Sequence, residues 1–590
     1  MTSIFLSLSS TGKRLYLRAS YKEVVSICDS LCGSWDKLNK VFTFSAKPKT
    51  VYRVVGSFKD NKDFELSQTN EVVSLCEKYL KKQELQKKKN EELLYIKEHG
   101  HEFDVDFSYL KVIPFPFQKS GKSWLEAADG LGCIADEMGL GKTFQAISYC
   151  SHHKFPTLVI CPASVKINWL REISHFTNDK AFIFKNGEDI PLEFDYLVMN
   201  YESLISKKKP KDGRKKSTLE QLFSLVKKGK IQAIVCDEAH RMKNQKAKST
   251  KVIHKEFKAI PHRILLTGTP IKSRPIEYFS LLKFLDKDYW NSKAEFGARY
   301  CGAKKTWFGN RGGIDYSGAS NLKELYEETI PYVLRREQKD VFKDLPEKIY
   351  TNIPLVLPDD VRKEYDKLEG ELLDELEDLT DEQLLTIKIK LPDFTKIHRL
   401  RQLTSDYKLP FIQDVVDSIV EDQGKKVIIF SQYLNPIHKL DEYYKNKCVI
   451  YTGGLSEKQK DDNLQKFIKD PKCQLFIVSI MAGGIGLDGL QRASAVEIFV
   501  DQPLTHADLA QAEGRVARIG QELRPQFMTF YCENTVDERI KNLQIQKRRV
   551  FAQVIDNRED NERIESTSLI NDLLTQYIRE KRKKKHELKA

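Results

Sequence analysis

Short runs of consecutive apolar residues, separated by helix-length segments, recur in two sets along the chain. The first set is Thr157-Leu158-Val159-Ile160, Tyr196-Leu197-Val198-Met199, Ala233-Ile234-Val235-Cys236 and Ile264-Leu265-Leu266. The second is Val427-Ile428-Ile429-Phe430, Cys448-Val449-Ile450-Tyr451, Leu475-Phe476-Ile477-Val478, then Ala495 to Val500 and Phe527 to Tyr531. Strands that are apolar on both faces belong to parallel sheets covered by helices on both sides. The pattern therefore predicts an α/β protein with two parallel-sheet lobes facing across a cleft. Between the sets, residues 286–405 turn aromatic and Gly-rich, then Glu/Leu-rich, and read as a helical insertion. Residues 1–99 hold short strand-like and helical stretches ending in a Lys/Glu-rich run, Lys81 to Glu98, whose plainest reading is a solvated helix. The expected division is a small accessory domain (1–99), a first lobe (100–285), the insertion (286–405), a second lobe (406–545), and a C-terminal helix with a basic tail (546–590).

Composition narrows the class. A chain of 590 residues accommodates about four domains at roughly 150 residues each. No apolar run reaches a membrane-spanning length of about 18 residues, and the start Met1-Thr2-Ser3-Ile4 lacks the features of a secretory signal, so membrane and secreted classes are set aside. Lys+Arg 97 against Asp+Glu 84 gives a net charge of +13, which favours a polyanionic partner. Lys207 to Lys216, with Pro210 and Gly213, reads as an exposed basic loop, and Lys581 to Lys585 as either a nuclear address or a solvated end. The eleven cysteines are scattered, and Cys28 and Cys32 have no second Cys or His pair nearby. Reduced thiols in an intracellular protein without zinc are expected.

The candidate chemistry begins at Asp136-Glu137-Met138-Gly139-Leu140-Gly141-Lys142-Thr143, between the apolar Cys133-Ile134-Ala135 and a helical pattern starting at Phe144. Phosphates are held by close-approaching backbone N–H groups, a helix N-terminus, an ammonium, and a hydroxyl that ligates Mg²⁺. Gly139, Gly141, Lys142 and Thr143 supply these, although Asp136 stands where the general pattern has Gly. Downstream, Asp237-Glu238-Ala239-His240 ends the apolar run 233–236, at the carboxyl edge of a parallel sheet, where such folds bind ligands. Asp237 is assigned to the metal together with Thr143, and Glu238 to the attacking water. ATP and Mg²⁺ are the expected cofactors.

Taken in order, these blocks resemble a superfamily-two helicase-like ATPase of the SWI/SNF type. The phosphate loop, Cys161-Pro162-Ala163-Ser164 with Asn168-Trp169, Asn200-Tyr201-Glu202-Ser203, the DEAH box, Leu266-Thr267-Gly268-Thr269-Pro270, and Gln511 to Gln521 carry the resemblance over roughly residues 110–545. It implies two RecA-like lobes with ATP between them. Gln118, in Phe115-Pro116-Phe117-Gln118, resembles the adenine-recognising glutamine; the alternative is an ordinary polar helix residue. Arg515 and Arg518, about one helical turn apart, resemble the arginines with which the opposite lobe stabilises the transferring phosphoryl. Thr267, Gly268 and Thr269 resemble the segment coupling nucleotide state to DNA grip, and Ser479 to Leu487, with Gly486, the second lobe's contact loop. Trp169 reads as a packing residue rather than a base-stacking one.

A narrower resemblance lies in the insertion. Phe296 to Cys301, Trp307-Phe308-Gly309, Asp315 to Leu322, and Leu334-Arg335-Arg336 leading to Asp344-Leu345-Pro346 look like the HepA-related annealing-helicase branch. Ala239 and Gly514 depart from that branch, which usually has Ser and an acidic residue there. Residues around Leu31 to Phe44, with Trp35, resemble its small DNA-structure-sensing domain; the alternative is the core of a small β unit. The resemblance implies a monomeric motor that hydrolyses ATP on duplex DNA through sequence-independent backbone contacts and remodels branched DNA such as forks and bubbles. Single-strand-binding, replication and repair proteins are the partner classes it allows, with a nuclear location in a eukaryote, and otherwise the cytoplasm or a viral replication site. The rivals are a chromatin or protein-displacing remodeller and a nucleotide-gated DNA-binding scaffold.

Overall fold

The computed structural model describes residues 2–31, 33–59, 61–205, 217–271, 274–308, 311–316, 318–342, 346–376, 391–483, 487, 489–503, 505–518 and 520–555. Several sequence motifs lie outside these: the basic run Lys207 to Lys216, Gly309, Ser317, Asp344 and Leu345, Gly484-Ile485-Gly486, Ile519, and the tail Arg579 to Lys585.

Alternation builds the N-terminal unit. Ile4, Leu6, Leu15 and Leu17 are buried, while their strand neighbours are less so, as a sheet with one covered face requires. Its five strands run in the order Ser34–Asp36, Val41–Ser45, Arg14–Arg18, Thr2–Leu8, Phe64–Gln68. Helix Pro48–Lys59 covers the sheet with Val51, Val54, Val55 and Phe58. Trp35 is partly buried and packs on Phe42 at 4.9 Å, as part of this small core. Helix Asn70–His99 follows, and over its 30 residues only Val72, Tyr79, Leu93 and Ile96 are buried, so the Lys/Glu-rich run is indeed a largely solvated helix.

The unit is fastened to the insertion. Lys49 Nζ donates to both carboxylate oxygens of Glu328 at 2.8 and 3.0 Å and stands 4.1 Å from the Tyr289 ring. Arg53 donates to Glu324 at 3.0 Å. Burial, only partly offset by Glu328, pushes the Lys49 ammonium down to about 8. Removing one partner of such a pair leaves a largely buried charge uncompensated, and fully buried cases cost about 3–5 kcal/mol. Glu328→Gln should therefore make residues 1–99 far more susceptible to proteolysis, with little effect on the lobes. Equal protease resistance in that variant would show that the Lys49–Glu328 pair does not hold the unit.

The first lobe is a seven-stranded sheet in the order Val333–Leu334, Leu131–Ile134, His262–Leu266, Ala233–Asp237, Thr157–Cys161, Tyr196–Asn200, Ala181–Ile183, all pairs parallel. Leu158, Ile160, Ile234 and Cys236 enter one core, and Val159, Cys161, Ala233 and Val235 the other. Cores on both faces explain the unbroken apolar runs, each large side chain contributing roughly 1.5–3 kcal/mol on burial. The second lobe is a six-stranded parallel sheet in the order Ile349–Leu355, Gln526–Cys532, Val496–Phe499, Val427–Ser431, Leu475–Ser479, Cys448–Tyr451.

The segment 286–405 is not helical throughout. It contains an antiparallel pair, Lys304–Phe308 with Arg311–Asp315, and it supplies an edge strand to each lobe: Val333–Leu334 to the first and Ile349–Leu355 to the second. The chain therefore passes from one sheet to the other within about fifteen residues, and this short crossing reaches the site between the lobes.

Candidate active site

The phosphate loop, the DEAH box and the Thr267–Thr269 segment each leave the carboxyl end of their strand. The loop after Leu131–Ile134 turns at Gly139 (φ +83°) and Gly141 (φ +65°), left-handed conformations that side chains rarely adopt, and helix Lys142–His152 starts at Lys142, two residues before its pattern begins. Both glycines are also closely approached. A β-carbon at Gly141 would stand 2.5 Å from Gln118 Nε2, and one at Gly139 would stand 2.7 Å from Arg518 Cβ. Gln118 caps its own helix, its Oε1 accepting from Phe115 N–H at 3.0 Å, while its amide nitrogen faces the loop. Lys142 Nζ donates to the carbonyls of Asp136 (2.9 Å) and Glu137 (3.2 Å). Burial pulls its pKa below the usual lysine range, against the pull of Glu238 and Asp136. Thr143 sits half-buried one residue on. Gln118, Gly139, Gly141, Ser164, Asn168 and Arg518 line a cavity of about 1000 Å³ between the lobes.

The two carboxylates are differentiated by their surroundings. Asp237 Oδ2 accepts from Trp169 Nε1–H at 2.9 Å, and its Oδ1 from Glu238 N–H at 2.8 Å. Burial and the neighbouring Glu238 nevertheless push Asp237 up to about 6. Glu238 has φ +49°, which swings it off the strand. Burial would raise its pKa, but His240, Lys142 and Arg515 hold it below the ordinary value. His240 Nδ1 lies 3.1 Å from Glu238 Oε2 and 3.2 Å from Thr267 Oγ1, so the coupling segment touches the DEAH box through one imidazole. Thr267 Oγ1 in turn accepts from Thr269 N–H at 3.1 Å. Among the described residues, the buried Glu238 Oε2 therefore has an ion-pair contact with His240 but no well-aligned hydrogen bond.

The second lobe closes directly onto this loop. Arg515 donates to Leu487 O at 3.3 Å and is near enough to Glu238 to lower its pKa, and Arg518 lies beside Gly139. A β-carbon on Gly514 would meet Met138 Cβ at 2.8 Å. The departure from an acidic residue at 514 is thus what lets the lobes meet here. Gly514→Ala should lower the maximal ATPase rate several-fold while leaving nucleotide affinity nearly unchanged, and adding Met138→Ala should restore much of it. Losses that simply add in the double variant would show no steric coupling.

Comparisons with known proteins agree with this order of parts. The SNF2-related domain matches residues 117–409, and the helicase conserved C-terminal domain matches 408–520. The chain belongs to the SWI/SNF-type helicase-like ATPases. Relatives include the DNA annealing helicase and endonuclease ZRANB3 of Bos taurus, 26% identical over 75% of this chain and 41% of that protein. A Caenorhabditis elegans homologue of the SWI/SNF-related matrix-associated actin-dependent regulator of chromatin subfamily A-like protein 1 is 29% identical over 75% of this chain and 61% of its own length. Subfamily A member 1 of Homo sapiens is 30% identical over 74% and 43%. The chain thus spans about two fifths to three fifths of these relatives. The Sulfolobus solfataricus SWI2/SNF2 ATPase core in complex with dsDNA aligns with 80% of this chain and 98% of its own, at 25% identity and a TM-score of 0.36.

Within this SWI/SNF-type core, residues that the motifs do not single out hold the phosphate loop. Asp136 is fully buried and paired with Arg336, at 3.1 Å to Nε and 2.5 Å to a terminal nitrogen, and Arg336 also donates to Gln145 Oε1 (2.7 Å) and Phe117 O. Glu137 accepts from Gln338 N–H (2.8 Å) and Lys348 (3.0 Å). The Gln338 side-chain amide donates both to Met138 O (2.6 Å) and to Ala517 O (2.7 Å), joining the two lobes. Leu140 is buried beneath the loop. The side chains of Asp136, Glu137, Met138 and Leu140 therefore anchor the loop, and those of Glu137 and Met138 face a separate cavity of about 300 Å³. Arg336 was visible in the sequence only as part of Leu334-Arg335-Arg336. Gln338, Gln145 and Lys348 carry no local signal.

Trp169 does more than pack. It is 1% exposed, yet its N–H is the side-chain donor that steadies Asp237. Trp169→Phe should keep most of the packing and lose that bond, which to a charged acceptor is worth about 1.5–3 kcal/mol. The expected result is a roughly tenfold rise in the Mg²⁺ concentration needed for half-maximal ATPase, with the maximal rate changed little. An unchanged Mg²⁺ midpoint would leave Trp169 a packing residue only.

Proposed function

We propose that the chain is a DNA-dependent ATPase that translocates on duplex DNA and reanneals or regresses branched structures such as forks and bubbles. The observation that carries the ATPase reading is the meeting of two sets of groups. Lys142, Thr143, Asp237 and Glu238 leave the carboxyl edge of one sheet, and Arg515 and Arg518 reach them from the other. The donor set fits a nucleotide with its metal. Glycines cradle phosphates at close approach, and Thr143 and Asp237 would hold Mg²⁺, which when bound offsets charge on the phosphates.

The steps of this chain's own residues then follow. Gln118 faces the loop from the adenine side. Lys142 exchanges two loop carbonyls for phosphate oxygens. Glu238, held below the ordinary carboxylate range by His240, Lys142 and Arg515, orients a water and accepts its proton. Arg518 and Arg515 stabilise charge that develops on the transferring group. Thr267 is linked to Glu238 through His240, because the same imidazole contacts both. Sequence-independent grip on a phosphate backbone suits the net charge of +13.

The branch-remodelling reading rests on the insertion motifs and on the annealing-helicase relative. A second reading, a chromatin remodeller, is favoured by the 30% identity to the chromatin-regulator relative. One experiment separates them: ATPase without DNA and with single-stranded, duplex and forked DNA, followed by bubble reannealing, fork regression and nucleosome sliding at one ATP and salt concentration. Reannealing and regression that need hydrolysable ATP support the first reading. Robust sliding with no activity on forks or bubbles supports the second, and no turnover under any condition returns the chain to a DNA-binding scaffold.

A further inference from the structure

On the opposite edge of the first lobe, at the amino ends of strands Leu131–Ile134 and His262–Leu266, lies a second cavity of about 820 Å³. Helix Lys248–Glu256, the end of helix Tyr278–Leu285 and the long helix Asn70–His99 form its walls. Strands of four or five residues at about 3.3 Å each set it roughly 15 Å from the nucleotide cleft, and the two cavities share no lining residue.

Seven cationic side chains line this cavity against three carboxylates. Three of the cations are engaged. Arg263 donates to the carbonyls of Ile260 (2.6 Å), Leu285 (2.7 Å) and Phe284 (2.9 Å), Lys89 lies 3.4 Å from Asp129, and Lys255 lies 3.1 Å from Glu256. The carboxylates are largely engaged too: Asp129 by Lys89, and Asp286 by the Tyr332 hydroxyl (2.8 Å) and the N–H groups of Asp288 and Tyr289. Asp288 is exposed at the rim. The other four cations, Lys251, Lys258, Lys283 and Lys287, have no carboxylate within 4.0 Å among the described residues. The surplus positive charge is felt by His254 on the same wall, where burial and then Lys283 push the imidazole down to about 4.

We propose that this cavity binds the sugar-phosphate backbone of a single DNA strand, one or two nucleotides at a time. Four ammonium groups without carboxylate partners supply phosphate contacts, and Phe284, Leu285, Pro331 and Tyr332 supply apolar wall for sugar and base. Clefts of roughly 300–1,000 Å³ suit ligands of that size. The proposal rests on the DNA-acting reading above and extends it. A motor that holds duplex elsewhere and a loose strand here would distinguish a fork from plain duplex. Gln86 and Lys89 belong to helix Asn70–His99, so the N-terminal unit contributes to the site by shaping one wall.

The test uses the full chain and a short fluorescent oligothymidine, with anisotropy read in excess unlabelled duplex. Lys251, Lys258 and Lys287 are exposed, and none belongs to the nucleotide site, so the triple variant K251E/K258E/K287E is compared with wild type. Strand affinity should fall tenfold or more, and the salt slope should drop by about one, at roughly 0.7 per phosphate contact for the one or two phosphates held. Duplex-stimulated ATPase should stay within twofold, and the preference for forks should disappear. A 4-thiothymidine strand should crosslink to peptides containing residues 283–288 or 331–332 of the wild-type chain, a readout that does not depend on the variant folding. Unchanged strand affinity in a folded triple variant, full displacement of the strand by duplex, or crosslinks confined to other peptides would each overturn the site. Preferential competition by a polyglutamate peptide over DNA would also overturn it, in favour of an acidic protein segment. A wild-type ATPase indifferent to DNA would sink the motor reading separately, because strand binding here is measured without turnover.

Discussion

Glu238→Gln should bind ATP as wild type does and hydrolyse it at least a hundredfold more slowly. The amide keeps the shape but cannot accept a proton, and a positioned base contributes about 10²–10⁴ in rate. Its neighbours predict that little else changes. Asp237 keeps its bonds to Trp169 and to the backbone at 238, and Lys142 keeps its carbonyl contacts. Lys142→Ala makes the contrasting case, because among the described residues no replacement ammonium stands at the loop carbonyls. It should lower both affinity and rate, the rate by roughly a hundredfold or more. Equilibrium binding of a labelled ATP analogue, set beside single-turnover hydrolysis, distinguishes the two. Loss of binding in Glu238→Gln would make Glu238 a structural residue, and a Lys142→Ala variant with more than about a tenth of the wild-type rate would remove Lys142 from the phosphate site.

Arg336→Leu should cost about 3–5 kcal/mol of first-lobe stability, the range for breaking a buried ion pair from one side. Asp136 would lose its cationic partner at 0% exposure, and Gln145 Oε1 and Phe117 O would each lose a donor. Chemical denaturation followed by tryptophan fluorescence, to which Trp124 and Trp169 in one first-lobe core and Trp290 in the other contribute, reads that loss. Adding Asp136→Asn should recover a substantial part of the loss, because it removes the stranded charge. A single variant as stable as wild type would mean that water reaches Asp136. A double variant no better than the single would assign the cost to packing instead.

Buried parallel strands were legible in the sequence because both faces of each are covered: Val427 to Phe430 and Leu475 to Val478 have nowhere to place a polar side chain. Even Glu497 did not hide its strand, although it lies fully buried with its carboxylate pushed well up by burial. Edge strands were not legible. Ile349–Leu355 is exposed at its first four positions and Val333–Leu334 is two residues long, so neither makes an apolar run. The chemistry divided in the same way. Loop and box residues work within a few positions of one another and leave a local pattern. Trp169 and Asp237 are 68 residues apart, and Asp136 and Arg336 are 200 apart, so such pairings exist only once the sheets form. Gly514 stood out as a departure from a pattern, but its reason, the Met138 side chain across the cleft, is likewise a property of the folded pair of lobes.

The Gln338 amide, shared between Met138 O in the phosphate loop and Ala517 O in the second lobe, has a thermodynamic consequence. Both bonds form together only when the lobes are shut, so the order of the loop and the closure of the lobes are linked functions. By reciprocity, if a bound nucleotide shifts the open–closed equilibrium by some factor, whatever shuts the lobes from outside must tighten nucleotide binding by that same factor. A track that favours the shut form is in this sense an allosteric activator of the nucleotide site without touching it. Shortening residue 338 to Ala would weaken both directions of that exchange equally.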